Sequence, residues 1–277
     1  MHRRTCIGAL SIVLTTGCAA TPSGPFEVSC DGDPTSIQYA FQTTGGGLIE
    51  EGSAVVQENG SRFFVITGDC RYWAFGARVS RVSSMSPTHT GLLNEIELRA
   101  LHDRIRLYEH SSQQVMLAGV ADASVDSLTD GRTTIACPAL CSFEGAPAEL
   151  APVYESAMEI LDELFELGTP VEAPSVRVAV ARQDFWSTRW EWPEAEWPLD
   201  IPITEFERDA YGGNRRVDGE GALALRELRR RAYAGEFQPP GMGGGFIPVR
   251  VDGELWGVFV RDVIDVDAPD TGLWRVP

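Results

Sequence analysis

Two tight-turn dipeptides constrain this fold more than any other feature of the sequence. An Asn-Gly pair at 59–60 lies within the apolar segment 53–66, and an Asp-Gly pair at 252–253 lies within 246–260. Both dipeptides accept the positive φ angles that a two-residue hairpin turn requires. Each pair therefore predicts two antiparallel strands joined by a short turn.

Apolar residues recur at helical spacing in three segments. Residues 91–107, 148–167 and 218–234 place them three and four positions apart, which predicts amphipathic helices. Gly168 directly follows the second segment and predicts its end. Short alternating or β-branched runs predict further strands at 36–42, 71–82, 114–125, 132–136 and 176–180.

The two halves of the chain share one order of elements, with a boundary near residue 170. Each half runs strands, then a helix, then strands, and the hairpins favour antiparallel sheets. The fold class is therefore expected to be α+β, with about three amphipathic helices. Residues 26–169 and 170–277 would form the two parts. A duplication is one interpretation of this order; chance similarity between helices of similar composition is the other.

The first residues have the order of an export signal. Arginines at positions 3 and 4 precede an apolar run at 7–14, and small residues follow that run. The run is far shorter than the roughly 20 residues that span a bilayer, and no later stretch of the sequence approaches that length. We therefore expect residues 1–17 to be a signal peptide and the mature chain to lie outside the cytoplasm.

The end of this leader resembles the lipobox of bacterial lipoproteins. Residues 14–18, Leu-Thr-Thr-Gly-Cys, place small residues before a cysteine, which in that family is acylated and becomes the N-terminus. The resemblance covers the leader only, and the family's usual leucine position is occupied by Thr15. It implies that a lipid on Cys18 anchors the chain to the membrane, with residues 18–25 as anchor and tether. Cleavage after Ala20, which would give a secreted protein, is the alternative.

The mature chain is strongly acidic. The full chain has a net charge of −17, and removal of residues 1–17 takes away two arginines and no acid, which leaves −19. Nucleic acid and anionic membrane surfaces would repel such a chain. We therefore expect no nucleic-acid partner, and contact with the membrane only through the lipid on Cys18.

Four cysteines remain after the leader and the lipidation site are set aside. They are Cys30, Cys70, Cys137 and Cys141. An even number of cysteines in an oxidising compartment predicts two disulfides. We favour Cys30 with Cys70, which flank one expected sheet, and Cys137 with Cys141, which are close in sequence. Zinc binding is the alternative, but no second Cys or His pair has zinc-site spacing.

Candidate catalytic residues are sparse. His102 precedes Glu109 and His110 by seven and eight positions, so a metal or acid/base site on one helix is conceivable. The usual zinc spacing is three or four residues, which favours a histidine that flanks the core. The common nucleophile, zinc-protease, phosphate-loop and dinucleotide motifs do not occur in the sequence. The sequence predicts no cofactor and favours a non-catalytic protein; a hydrolase with dispersed carboxylates is the alternative.

The segment 185–198 holds four of the seven tryptophans. Trp190 and Trp192 would share one face of an extended strand, and together with Trp197 they could stack on sugar rings or hold a partner. The interpretation we favour is that these rings cover a sheet edge or pack the junction between the two halves, because tryptophan is buried more often than displayed.

Two charged clusters lie near the C-terminus. Four arginines between 226 and 231 are expected to face solvent or the acidic helix at 148–167, with an anion site as the alternative. Four aspartates between 262 and 270 lack the spacing of a calcium loop and are expected to be ordinary strand and turn acids.

These observations favour an extracytoplasmic lipoprotein. Its α+β body is expected to serve in envelope structure or to bind an envelope protein or glycan. The alternatives are a secreted or anchored hydrolase and a carbohydrate-binding module that uses the tryptophan segment.

Overall fold

The computed structural model describes residues 28–44, 62–78, 85–110, 113–114, 125–143, 145–182, 193–206, 213–237 and 246–264. Within these ranges the chain forms two mainly antiparallel sheets and three α-helices. The predicted α+β fold class is confirmed.

The first sheet has eight strands in the order β5-β7-β6-β1-β2-β3-β4-β8. Neighbouring strands pair antiparallel, except that β5 pairs parallel with β7. The strands are β1 (Ile37–Thr44), β2 (Phe63–Thr67), β3 (Arg71–Phe75), β4 (His89–Leu92), β5 (Gln113–Gln114), β6 (Val125–Thr129), β7 (Thr134–Pro138) and β8 (Thr169–Pro170). β2 lies where the second strand of the first predicted hairpin was expected. The turn at 59–60 and most of the predicted strand at 114–125 lie outside the described residues.

The second sheet has four strands in the order β10-β9-β12-β11. They are β9 (Ser175–Arg182), β10 (Gly213–Asp218), β11 (Ile247–Val251) and β12 (Glu254–Asp262). The predicted hairpin of β11 and β12 is confirmed: its turn residues Asp252 and Gly253 have φ angles of 53° and 85°. Asn, Asp and Gly tolerate this left-handed backbone better than other residues, so the dipeptide sets the register.

Helix α1 (Glu95–Ile105) begins four residues later than the periodicity predicted. Gly91 and Leu92 belong to β4 instead, where they pair with β3. The Asn94 side chain accepts hydrogen bonds from the Ile96 and Glu97 backbone amides, and the Glu97 carboxylate accepts one from the Asn94 amide. This capping box satisfies amides that have no partner inside the helix, and so marks the helix start.

Helix α2 (Ala151–Leu167) ends where the sequence predicted, but for a different reason. Gly168 has a φ of −79°, so it is not the left-handed cap that the glycine suggested. A Cβ atom at this position would lie 3.0 Å from the His89 Cβ and 3.1 Å from the Thr90 carbonyl oxygen. The close approach of β4 therefore favours glycine here, because a larger residue would have to displace these neighbours by a few tenths of an ångström.

Helices cover one face of each sheet. α1 and α2 bury Leu98, Ile105 and Leu161 against Phe41 and Phe64 of the first sheet. Helix α3 (Gly219–Tyr233) buries Leu225 and Leu228 against the second sheet, as its periodicity predicted. The valines of β9 at positions 176, 178 and 180 and the β12 residues Trp256, Val258 and Val260 line that second core.

The two sheets pack against each other through the faces that no helix covers. Ile264, just after β12, packs with Phe63, Trp73 and Phe75 of the first sheet. The Arg261 guanidinium carbon lies 5.5 Å from the Phe63 ring centroid, which is close enough for a cation–π contact. The described elements are thus layered as helices, sheet, sheet and helix.

Candidate functional site

The predicted disulfides are both present. Cys30 is bonded to Cys70, and Cys137 is bonded to Cys141. Three of these cysteines are buried, and Cys30 is partly buried against the same core. Sulfur atoms that are bonded to each other are not zinc ligands, because the metal binds the free thiolate.

The tryptophan hypothesis concerns residues that the structure describes only in part. Trp190 and Trp192 lie outside the described residues. The proposed lipidation site, Cys18, also lies outside them. Trp197 is half-buried, and its indole nitrogen donates to the Ile201 carbonyl at 2.7 Å. Its ring meets the Phe206 ring edge-on with centroids 5.3 Å apart. The geometry of Trp197 favours packing, while sugar stacking by the other two rings stays a prediction.

His102 is buried against Tyr39 of the first core. A hydrogen bond joins its Nδ1 to the Tyr39 hydroxyl, and its ring stacks on Tyr108 with centroids 5.1 Å apart. Burial lowers the pKa of His102 and raises the pKa of Tyr39. Both groups are therefore held neutral near pH 7, which fits a structural role better than proton transfer to a substrate.

The burial of His102 predicts a pH-dependent stability. Its folded pKa lies below the ordinary value of 6.5, so the unfolded chain binds more protons as the pH falls. This contribution to the free energy of unfolding is fully present above pH 6.5 and is lost as the pH drops through the folded pKa. We expect His102→Gln to flatten the dependence of stability on pH between 7.5 and 5, by at most about 1.4 kcal/mol per pH unit.

Urea unfolding at a series of pH values measures this slope. Arg99→Gln, an exposed change on the same helix, is the control and should keep the wild-type slope. A His102→Gln slope equal to that of the wild type would contradict the expectation. His89, whose pKa is also lowered by burial, contributes with the same sign and accounts for part of the remaining dependence.

The predicted placement of the arginine cluster is wrong for two of its members. Arg226 and Arg229 of α3 point toward β12 and share the carboxylate of Asp262, which is 0% exposed. The distances are 2.9 Å from Arg226 Nε to Oδ1 and 2.7 Å from Arg229 Nη1 to Oδ2. Residues three apart lie on one helix face, so both arginines reach the same carboxylate.

The other two arginines are exposed, as predicted. Arg230 pairs with Glu227, and Arg231 pairs with Glu236. Exposed pairs of this kind contribute little to stability, because solvent screens them.

An open groove of about 710 Å³ lies beside the buried cluster of Arg226, Arg229 and Asp262. Three strands of the second sheet end or begin there. Ser175 begins β9 and pairs with Asp218, the last residue of β10. The backbone amide of Val263, just after β12, donates to the Ser175 carbonyl at 3.1 Å. The groove is lined by Glu172, Ala173, Pro174, Ser175, Arg216, Asp218, Gly219, Leu223 and Arg226.

Three of the lining side chains, Ser175, Arg216 and Asp218, form a hydrogen-bonded network. The Ser175 hydroxyl donates to the Asp218 carboxylate and accepts a hydrogen bond from Arg216 Nη2 at 2.7 Å. Arg216 Nε also donates to Asp218, at 3.0 Å. The hydrogen bond from Ser175, followed by that from Arg216, lowers the pKa of Asp218.

This network is better suited to binding than to nucleophilic catalysis. A serine nucleophile needs a base that takes its proton, and a carboxylate with a lowered pKa is a weak base. The groove offers guanidinium donors instead: Arg216 Nη1 donates to no acceptor among the described residues, and Arg226 lines the groove with 18% of its side chain exposed. Guanidinium groups of this kind bind anions.

The sequence did not single out Ser175, Arg216 or Asp218. They are brought together by strand pairing, and Ser175 is 41 positions from Arg216. One local signal was present, because Asp218-Gly219 stands at the predicted start of the third helix, where an acidic residue before a glycine marks a strand-to-helix turn.

Two general features also bear on the site. Within the described ranges, no three His, Cys, Asp or Glu side chains converge as ligands of a metal ion would. No helix in that part of the chain has the length and apolarity needed to cross a bilayer.

Comparisons of the chain with protein families, with curated proteins and with solved structures find no match.

Proposed function

We propose that this chain is a bacterial lipoprotein that is exported, held at the envelope by a lipid on Cys18, and acts there as a non-catalytic binding protein. The basic and apolar leader and the lipobox-like segment 14–18 support the export and the anchor. An envelope protein or glycan remains the proposed class of large partner.

The observation that carries the extracytoplasmic placement is the pair of disulfides. Disulfides persist in oxidising compartments such as the bacterial periplasm or the cell surface and are rare in the cytosol. Both bonds join cysteines that the fold brings together at Cα–Cα distances of 5.0 Å and 5.4 Å, within the range that a disulfide requires.

The groove supports binding rather than catalysis. Its hydroxyl, on Ser175, is held between Asp218 and Arg216, and the pKa of Asp218 is lowered. These groups position one another and leave guanidinium donors facing the groove. The net charge of −17 argues against nucleic acid as the partner.

Intact mass measured on the membrane and soluble fractions tests the proposal. We expect the wild-type chain in the membrane fraction, with a diacylglyceryl-sized addition on Cys18 and with residues 1–17 removed. Thiol alkylation should label none of Cys30, Cys70, Cys137 and Cys141 before reduction and all of them after it.

Two cysteine variants sharpen this experiment. Cys18→Ser should lose the lipid and leave the membrane fraction. Cys6→Ser changes the cysteine inside the leader and should keep the lipid, so it is the matched control. A soluble wild-type chain that begins at Thr21 would rule out the anchor and leave a secreted protein.

A further inference from the structure

The geometry points to the groove as the site of a monocarboxylate ligand with an apolar body. Arg216 and Arg226 would hold the carboxylate, and Leu223 would contact the apolar part. This inference rests on the proposed binding role and not on the lipid anchor.

The charge beside the groove is unbalanced. Arg226 and Arg229 share the single carboxylate of Asp262, which leaves one positive charge in excess within this cluster. Only 6% of the Arg229 side chain and 18% of the Arg226 side chain are exposed, so water compensates this charge poorly. An anion in the groove would compensate it.

One donor of the Arg226 guanidinium has no acceptor among the described residues. Arg226 Nη2 is buried, and no described residue accepts a hydrogen bond from it. A buried donor without a partner is costly, and a charged one more so. A carboxylate that draws the Arg226 guanidinium toward the groove would supply the missing acceptor.

Arg216 is already positioned for a ligand. Its Nη2 and Nε donate to Ser175 and Asp218, which holds the side chain in one arrangement, and its Nη1 donates to no described residue. A guanidinium held in this way loses little conformational entropy on binding, and its planar geometry matches a carboxylate.

The acidic residues that line the groove favour a ligand with one negative charge over a ligand with two. Glu172 and Asp218 also line the groove, and both carry negative charge. They would repel a phosphate dianion more strongly than a carboxylate. Glu172 is exposed and forms no ion pair with a described residue, so its repulsion is reduced by solvent and does not cancel the buried charge.

The apolar lining indicates the rest of the ligand. Leu223 is 62% exposed and lines the groove, as do Ala173 and Pro174. A large exposed leucine beside two guanidinium groups suits a ligand with an acidic head and an apolar body. A volume of about 710 Å³ admits a medium-chain fatty acid or the last residues of a peptide with a free C-terminus.

Calorimetric titration of the full mature chain tests this inference. The chain is exported behind a leader without a lipidation cysteine, so no detergent competes for the groove. We expect octanoate to bind with a dissociation constant of roughly 0.1–1 mM, and octanamide, acetate and inorganic phosphate to bind at least about tenfold more weakly. The peptide acetyl-Ala-Ala-Ala, as the acid and as the C-terminal amide, separates a peptide source from a fatty acid.

Four exposed substitutions locate the binding. Arg216→Gln should weaken octanoate binding by about tenfold or more, and Leu223→Ser by about fivefold. Glu172→Gln should tighten it by about two- to threefold because a repulsive charge is removed. Arg215→Gln, on the neighbouring residue of β10 outside the groove, is the control and should change binding by less than about twofold.

The outcomes separate this inference from the proposed function. Binding of octanoate or of the peptide acid that Arg216→Gln weakens supports the site, and the tighter of the two names the source. Equal binding of octanoate and octanamide, tighter binding of phosphate, or no binding of either carboxylate overturns it. The lipid on Cys18 is measured independently, so a chain without a lipid that binds octanoate contradicts only the anchor.

Discussion

Replacing Asp262 with asparagine is expected to lower the free energy of unfolding by about 3–5 kcal/mol, although the side chain keeps its size. Asp262 is fully buried at the end of β12 and is the one described carboxylate that pairs with Arg226 and Arg229. Without its charge, two mostly buried guanidinium groups lose their counterion. Removing one partner of a buried ion pair costs far more than the pair contributes, because the remaining charge stays desolvated.

Urea unfolding of matched variants measures this effect. Glu254→Gln removes an exposed carboxylate from the other end of the same strand, where it pairs with Arg182, and should cost less than about 1 kcal/mol. A triple variant with Arg226→Met, Arg229→Met and Asp262→Leu removes all three charges and should recover most of the stability. An Asp262→Asn chain as stable as Glu254→Gln would contradict the electrostatic account of this cluster.

Loss of the Cys30–Cys70 disulfide is the second large effect. The bond spans 40 positions, and loop-closure entropy for a loop of this size corresponds to about 4 kcal/mol. It ties the segment before β1 to the turn between β2 and β3, where the Gly32 amide also donates to the Gly68 carbonyl at 2.9 Å. We expect the Cys30→Ala, Cys70→Ala chain to lose about this much unfolding free energy.

The second disulfide provides the comparison. Cys137 and Cys141 are only four positions apart, so the same model assigns their bond about 2 kcal/mol. Denaturant unfolding of the two double-alanine chains under identical non-reducing conditions should therefore show the larger loss for Cys30 and Cys70. Equal losses, or the reverse order, would mean that native contacts and not chain entropy set the cost.

The helices illustrate how much of the fold could be predicted from the sequence. The apolar spacing in α2 and α3 identified both helices and their buried faces, because side chains three and four apart meet on one side of a helix. The start of α1 was predicted four residues too early. Gly91 and Leu92 pair with β3, and the spacing of apolar residues within the segment contains no information about that pairing.

The candidate site could not be predicted in the same way. Ser175, Asp218 and Asp262 lie at the ends of three strands, which pair only when the second sheet forms. The arginine cluster was visible in the sequence, yet its direction depends on Asp262, 36 positions after Arg226. A charge run on a helix is usually solvated, and only the packing of α3 on β12 turned two of these arginines inward.

The sequence by itself determined the local features of this protein: the Asp252-Gly253 turn, the faces of α2 and α3, and the four cysteines that pair. These depend on φ angles, on helical spacing and on residue type, which neighbours in the chain are sufficient to specify. Only the tertiary structure decided the groove, the shared Asp262 and the close approach of β4 to Gly168. Each of these features depends on contacts between atoms that are distant in sequence. Each also depends on burial from water, which arises only when the chain has folded.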